Sequence, residues 1–271
     1  MSPVHLSLTE DFRRFFKVSL ATTPEQKQAV YRLRYRVYCE ELEYEPAAKF
    51  PERAEYDEFD ERSLHCLVTH RRSGLAAGCV RLVRTLDDQN PAPLPIEQHC
   101  GHSLDPATVG FIKHNRGTIC EISRLAVDGR FRRRLGEDRS QLGELDALDF
   151  CHQELRTFSL VATASFMAAT ALTELTGCHN IFAMMEVFLP KVLARSGLRF
   201  ERAGSEIDYH GWRAPYFITT QTAIEHMRPE LKDFYFDIYR SLASSYTAMR
   251  LLTPTCPLIG LYCNCGVFGS I

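Results

Sequence analysis

Ala29, Val30, Leu33 and Val37 recur at the three- and four-residue spacing of a single helix face. Thr23-Pro24-Glu25-Gln26 before them suits a helix start: Thr23 as N-cap, Pro24 at the first helical position, Gln26 reaching back to the cap. The spacing predicts a helix from Pro24 to about Glu41, with Arg34 and Tyr38 on a face beside the apolar stripe. Residues 43–62 are acidic and irregular, broken by Pro46 and Pro51. Residues 64–70 and 75–86 read as strands joined by the turn Arg71-Arg72-Ser73-Gly74. Residues 87–116 hold several prolines and no sustained period, the mark of a long loop with room for a helical turn. Residues 118–127 read as a buried central strand, and residues 142–176 as a long Ala- and Leu-rich helix closed by Gly177. A strand (178–185), a short helix (187–196) ended by Gly197, and a hairpin (198–207 with 212–219) around Tyr209-His210-Gly211 follow. A last helix runs from Pro229 to about Met249. This order predicts an α/β sandwich with a mixed sheet. It divides the chain into an N-terminal extension (1–20), a main domain (21–227), a C-terminal helix (228–250) and a tail (251–271) that fits no element.

Composition narrows the class. With 271 residues, 45% hydrophobic and 24% charged, the chain can bury a full core and is not of a disordered type. A net charge of −2 argues against a dedicated nucleic-acid binder. No apolar run reaches membrane-span length and residues 1–17 lack a signal-type apolar core, so a cytoplasmic location is expected. The ten cysteines are scattered, with only Cys263-Asn264-Cys265 closely spaced, so no metal site is expected and most read as small buried hydrophobes.

Charges inside apolar segments mark the candidate chemistry. Tyr56-Asp57-Glu58-Phe59-Asp60 reads either as a solvated acidic loop or as carboxylates, Asp57 and Asp60, that hold an ammonium or pair with arginines. Arg81 interrupts the strand Gly78-Cys79-Val80-Arg81-Leu82, so it lies on a wet sheet face or needs a buried partner. In Glu121-Ile122-Ser123-Arg124 a carboxylate and a guanidinium sit in a core strand, which is costly unless they are paired or functional. A buried Glu121 could act as general base toward an amine. A regular strand would point Glu121 and Arg124 to opposite faces, so a shared site requires a bulge. Arg130, Arg132, Arg133, Arg134 and Arg139 form a basic turn that reads as a solvated loop or as a patch for one acidic ligand. The histidines are dispersed, and no nucleophile elbow or glycine-rich phosphate loop is present. Direct attack of one substrate on another gains weight.

Arg34…Tyr38…Tyr44, Asp57-Glu58-Phe59-Asp60, Gly78-Cys79-Val80-Arg81 and Glu121-Ile122-Ser123-Arg124, in this order and spacing, resemble the acyl-homoserine-lactone synthases and the long-chain N-acyl amino acid synthases. Tyr44 stands where that family usually has tryptophan. Residues 186–201, 208–216 and 228–231 look more like the acyltransferases associated with the PEP-CTERM/exosortase system. The resemblance, over residues 20–220, implies a GNAT-like three-layer sandwich with a splayed sheet, and makes residues 21–227 the acyltransferase domain. It implies transfer of a fatty acyl group from acyl carrier protein or coenzyme A to an amino acid or similar small amine, with no permanently bound cofactor. Glu121 would be the base, and Arg34, Asp57, Asp60, Arg81 and Arg124 the charged network around it. Tyr38, Tyr44, Ser123, Phe182 and Met185 would contact substrate, with residues 166–175 and 182–189 lining the acyl tunnel. Arg130, Arg132, Arg133 and Arg134 would face the donor. Arg133-Arg134-Leu135-Gly136-Glu137-Asp138 only half resembles a pyrophosphate loop, which favours an acidic carrier protein over coenzyme A. Peripheral membrane contact through the acyl chain is compatible with this reading. The alternatives are a short-chain acetyltransferase using acetyl coenzyme A, and a non-catalytic protein that binds acyl carriers.

Overall fold

A computed structural model describes residues 7–85, 92–132 and 152–252. The predicted first helix is α2 (Pro24–Tyr35), with Thr23 and Gln26 forming the capping box. It ends in a π-helical turn, Arg36–Glu41, so the predicted end at Glu41 holds, but with a widened last turn. The hairpin is β2 (Ser63–His70) and β3 (Ala76–Arg84), and the central strand is β4 (Ile119–Val127). After it come α5 (His152–Thr157), α6 (Ser159–Thr176), β5 (Asn180–Glu186) and α7 (Leu189–Ala194). Gly177 closes α6 in the left-handed conformation at φ +74°, where it costs glycine no Cβ clash. The chain continues through β6 (Glu201–Arg202), β7 (Ile207–Asp208), β8 (Trp212–Thr219), α8 (Thr220–Glu225) and α9 (Pro229–Leu252).

Three stretches differ from expectation. Residues 8–20, assigned above to an N-terminal extension, form α1 (Leu8–Phe15), capped by Ser7 and Glu10, and β1 (Phe16–Leu20), which pairs with β2 as an edge strand. The stretch read as a long loop holds α3 (Pro95–Cys100) and α4 (Pro106–His114), each opened by a proline that fixes φ where no amide donor is needed. The first arm of the expected hairpin, residues 198–207, is reduced to the two short pieces β6 and β7, both paired with β8.

The described residues form one eight-stranded sheet in the order β1-β2-β3-β4-β5-β8-β6, with β7 also on β8. Only β4 and β5 run parallel; their register is Ile119↔Asn180, Cys120↔Ile181 and Glu121↔Phe182. Past Glu121 the two strands part, leaving a splay in the middle of the sheet. One sheet face carries α6 and α9 over a core including Val80, Leu82, Cys120, Ile181 and Ala183. Close approach of α6 to β3 depends on Gly78, where an added Cβ would lie 2.8 Å from Val161 Cγ1. The other face carries α2 over Leu67, Cys79 and Ala126, and α3 and α4 over Val83, Ile119 and Phe182. The result is the expected three-layer α/β sandwich with a mixed, splayed sheet. No helix among the described residues is long and apolar enough to cross a membrane.

Candidate active site

The site is built around an irregularity in β4. Opposite it, β3 keeps a regular register from Arg81↔Ser123 onward, but Cys79 pairs with Ala126, so β4 carries one extra residue between these pairs. Arg124 absorbs the bulge with φ +50°, an uncommon conformation for a residue with a Cβ. Before the bulge Ile119, Glu121 and Ser123 share the α2/α3 face; after it Ala126 does, and Leu125 turns toward α6. Arg124 therefore joins Glu121 and Ser123 on one face, as a shared site requires.

Around these residues the chain assembles a lattice of ion pairs. Arg34, fully buried, donates to Glu55 through Nε and to Asp60 Oδ1 through Nη1 at 2.7 Å. Arg81, 1% exposed, donates from Nη1 to Asp57 at 2.6 Å and Asp60 at 2.9 Å, and from Nε to the Ser123 hydroxyl at 3.0 Å. Arg124 donates to Glu55 at 3.1 Å and Asp57 at 3.3 Å, with Glu45 at 3.7 Å. Five of the six charged residues predicted as catalytic, Arg34, Asp57, Asp60, Arg81 and Arg124, thus form one lattice, and the sixth, Glu121, lines the same cavity as Asp57, Arg81 and Arg124. Burial pushes the Asp60 carboxyl up, but Arg34 and Arg81 outweigh it and hold it well below the usual carboxylate range. Glu55 is lowered in the same way, burial being overcome by Arg34 and Arg124.

Glu121 is the exception. It is buried and makes no ion pair among the described residues; its Oε2 accepts a hydrogen bond from the Ile96 amide in the first turn of α3 at 2.7 Å. Burial raises its pKa to about 7, against the opposing pull of that amide and of Arg81. A carboxylate poised near neutrality in a cleft can accept a proton and release it again.

Two cavities meet at Ser123 and Arg124. The polar one, about 90 Å³, is lined by Asp57, Arg81, Glu121 and the Tyr209–His210 turn, among others. The apolar one, about 280 Å³, opens through the splay toward α6 and is lined by Ile122, Leu125, Phe166, Ala169, Met185 and Leu198, among others. Tyr38, Tyr44, Met184 and Arg213 border both. Tyr38 is fixed by a hydrogen bond from its hydroxyl to the Leu125 carbonyl at 2.8 Å, and the Tyr44 ring stacks on it with centroids 6.4 Å apart. The π-helical turn produces this placement: the Tyr38 carbonyl, free of an ordinary helical bond, accepts from the Tyr44 and Glu45 amides.

The expectation for Phe182 is corrected. Strand alternation points Ala183 and Met185 into the apolar cavity, and turns Phe182 to the other face. There it packs in the core beneath α3 and α4, its ring 5.1 Å from that of Phe217. Phe182 supports the wall behind Glu121, its register partner, and lines neither cavity. Of the arginines expected to face a donor, Arg130 is bound to Asp128 at 2.8 Å and Arg132 to Glu41, while Arg133 and Arg134 lie outside the described residues. Two further members of the site, Glu55 and Arg213, are not among the residues expected from the sequence. Glu55 sat inside the acidic segment with nothing to separate it from its neighbours, whereas Arg213 in Trp212-Arg213-Ala214-Pro215 is a charge at the head of an apolar strand. Among the described residues no group of three or more His, Cys, Asp or Glu could hold a metal ion.

A model of the acetyltransferase (GNAT) domain matches residues 33–140. No curated protein matches the chain. Several solved structures match its fold. TofI, in a ternary complex with an inhibitor and MTA, superposes with a TM-score of 0.54 at 18% identity, over 79% of this chain and 99% of that one. BjaI, a CoA-dependent acyl-homoserine lactone synthase bound to SAM and isopentyl-CoA, gives 0.53 at 15%, over 87% and 99%. FeeM, an N-acyl amino acid synthase from uncultured soil microbes, gives 0.52 at 12%, over 81% and 97%. At such identities the likeness is one of fold, and the splayed sheet, the β4 bulge and the matched domain agree on it: this chain is built on the GNAT acyltransferase fold.

Proposed function

We propose that this protein is an N-acyltransferase that moves a long fatty acyl group from a phosphopantetheine thioester to the amine of a small, amino-acid-like acceptor. The observation that carries the reading is the junction at Ser123 and Arg124, where a polar cavity holding a buried carboxylate with its pKa near 7 opens into an apolar cavity of about 280 Å³. The acceptor ammonium enters the acidic polar side and gives a proton to Glu121. The freed amine attacks the thioester carbonyl, and the electron pair of the C=O bond moves onto oxygen, where Arg124 or backbone N–H groups stabilise it. The intermediate then collapses: the C–S bond breaks, the positively charged nitrogen gives up its second proton, the pantetheine sulfur takes up one, and a neutral amide and a thiol remain. The alkyl chain lies in the apolar cavity, between α6 and the open edge of β5. An acetyl group would leave most of that space empty, which disfavours the short-chain reading.

Acyl carrier protein is the donor we favour, in the cytoplasm. A second reading, acyl coenzyme A, draws support from BjaI, whose fold this chain shares and which is CoA-dependent. In either case the donor is a co-substrate and no cofactor need stay bound. Purified protein incubated with palmitoyl carrier protein or palmitoyl coenzyme A and a mixture of amino acids should yield N-acyl products by mass spectrometry. Absence of any acylated amine with both donors would refute the reading.

A further inference from the structure

Along one lip of the apolar cavity the chain sorts its side chains by direction. Glu186, Leu189, Leu198 and Phe200 line the cavity. Phe188 and Val192, at the start and middle of α7, face outward, 57% and 46% exposed, and Trp212 at the head of β8 is 63% exposed. The Glu186↔Arg213 pair sets the end of β5 beside the start of β8, so Trp212 stands at the same lip. Other exposed rings pack on neighbours: Tyr56 on Tyr31 and Phe50, Phe111 on Phe182 and Phe217. Among the described residues neither Phe188 nor Trp212 meets another ring. Basic side chains share the lip. Residues 187–200 hold Lys191, Arg195 and Arg199 and no carboxylate, in a chain whose net charge is −2. All three are exposed, and none has an ion-pair partner among the described residues.

The arrangement distinguishes a bilayer from a protein partner. A protein interface gathers its apolar residues at the centre and leaves charges to the rim. Here the two kinds interleave: Phe188, Lys191, Val192 and Arg195 alternate along α7. That pattern suits the headgroup zone, where aromatic rings sit at the acyl boundary and lysine and arginine stems reach back to lipid phosphates. The patch is also continuous with the cavity, since Leu189 beside Phe188 and Arg213 beside Trp212 line it. A fatty chain leaving the cavity at this lip enters the acyl layer without crossing water. We infer that the face formed by Phe188, Val192 and Trp212, with Lys191, Arg195 and Arg199, docks on the surface of an anionic phospholipid bilayer. This contact belongs to the folded protein itself and differs from retention by a bound acyl chain. It rests on the acyltransfer reading only for what travels through the cavity, and docking is tested without substrates.

Trp212 is the only tryptophan in the chain, so its fluorescence reports this face alone. The whole chain would be titrated with vesicles of phosphatidylcholine, of phosphatidylcholine mixed with phosphatidylglycerol, and of that mixture with bromine-labelled acyl chains. On anionic vesicles the Trp212 emission should shift to the blue and be quenched by the bromolipid. Neutral vesicles should bind more weakly, and added salt should release the protein. Lys191→Gln with Arg195→Gln should weaken partition onto anionic vesicles roughly 30-fold, the effect of two charges near such a surface. Phe188→Ser with Val192→Ser should weaken it by about tenfold or more and reduce the quenching. All four side chains are exposed, so both double variants should keep the wild-type melting temperature. A Trp212 emission unshifted by every vesicle, or binding that both double variants retain, would overturn the inference. So would a shift produced by acyl carrier protein and not by vesicles, which would give the face to an acidic protein. Vesicle docking by a protein that acylates no amine would leave the inference standing and would count against the acyltransfer reading instead.

Discussion

On one side of Ser123 and Arg124 the cleft is an ion-pair lattice; on the other it is mostly hydrocarbon. The polar side draws Arg34 from α2, Glu55, Asp57 and Asp60 from the irregular segment after it, Arg81 from β3 and Arg124 from β4, and binds each to at least one of the others. The apolar side draws on α6, β5 and the loop after α7, through residues such as Phe166, Ala169, Met185 and Leu198 that any core could use. Buried charges constrain one another because each left alone would carry a large desolvation cost, whereas apolar neighbours tolerate exchange at constant volume. The polar half is therefore specified residue by residue and the apolar half mainly by shape. Substitutions on the two sides should fail in different ways: loss of rate or of the fold on one, altered choice of substrate on the other.

The largest effect is expected at Glu121. Glu121→Gln keeps the acceptor for the Ile96 amide but removes the base, and turnover should fall about 10²–10⁴-fold. In wild type, kcat/KM should rise with pH as the Glu121 carboxyl ionises around its raised pKa of about 7. Rates within a few-fold of wild type in initial-rate assays would mean that another group takes the proton. Next comes the lattice itself. Arg34→Met strands Glu55 and Asp60 with one guanidinium fewer in a site closed to water, and should destabilise the fold by roughly 3–5 kcal/mol. A urea midpoint close to wild type would show that the lattice is solvated and loose.

What could be read from the sequence follows the same division. The charges in β3 and β4 stood out against apolar strands, and the requirement that Glu121 and Arg124 share a face already demanded the bulge that Arg124 makes. The lattice partner Glu55 was not legible, because one glutamate in an acidic stretch differs from its neighbours only once Tyr31 anchors the backbone there, at 3.0 Å from the Glu55 amide. The helix α3 was also missed, though Pro95 at its start and Glu97 reaching back to the Leu94 amide at 2.9 Å are ordinary start signals; prolines read as loop markers hid them. That omission concealed the Ile96 donor to Glu121. Likewise β1 shows the alternation of a strand in Phe16, Val18 and Leu20, obscured by the charges of α1 before it. Phe182 was misplaced for a different reason: an apolar run in a strand buried on both faces does not show which face meets the cavity.

On the apolar side, Ala169→Phe projects a ring from α6 into the cavity that the alkyl chain would fill. Discrimination against long acyl donors relative to short ones should rise by about 10–200-fold, the range that small changes in a hydrophobic pocket produce. It should appear as a chain-length profile in competition assays, with the rate on short donors largely kept. An unchanged profile would place the chain elsewhere and break the contrast between the two lobes.

The smallest effect returns to Glu121, now as a matter of stability. Its native pKa, about 7, lies above the ordinary value of 4.5, so the folded protein keeps a proton that the unfolded chain has already released. Stability from this group is complete below the lower value, declines as pH rises between the two, and is lost above the higher one. Asp60 and Glu55 behave oppositely: their native values are depressed, so their contribution is present at neutral pH and disappears in acid. Glu121→Gln has no proton to lose. Its melting temperature should match wild type near pH 4.5 and exceed it above pH 7 by several degrees, with an upper bound of about 3 kcal/mol. Thermal melts of both proteins at intervals from pH 4.5 to 8.5 would measure the gap. A difference independent of pH would show that the Glu121 carboxyl ionises normally in the folded protein, and the buried base would lose its physical support.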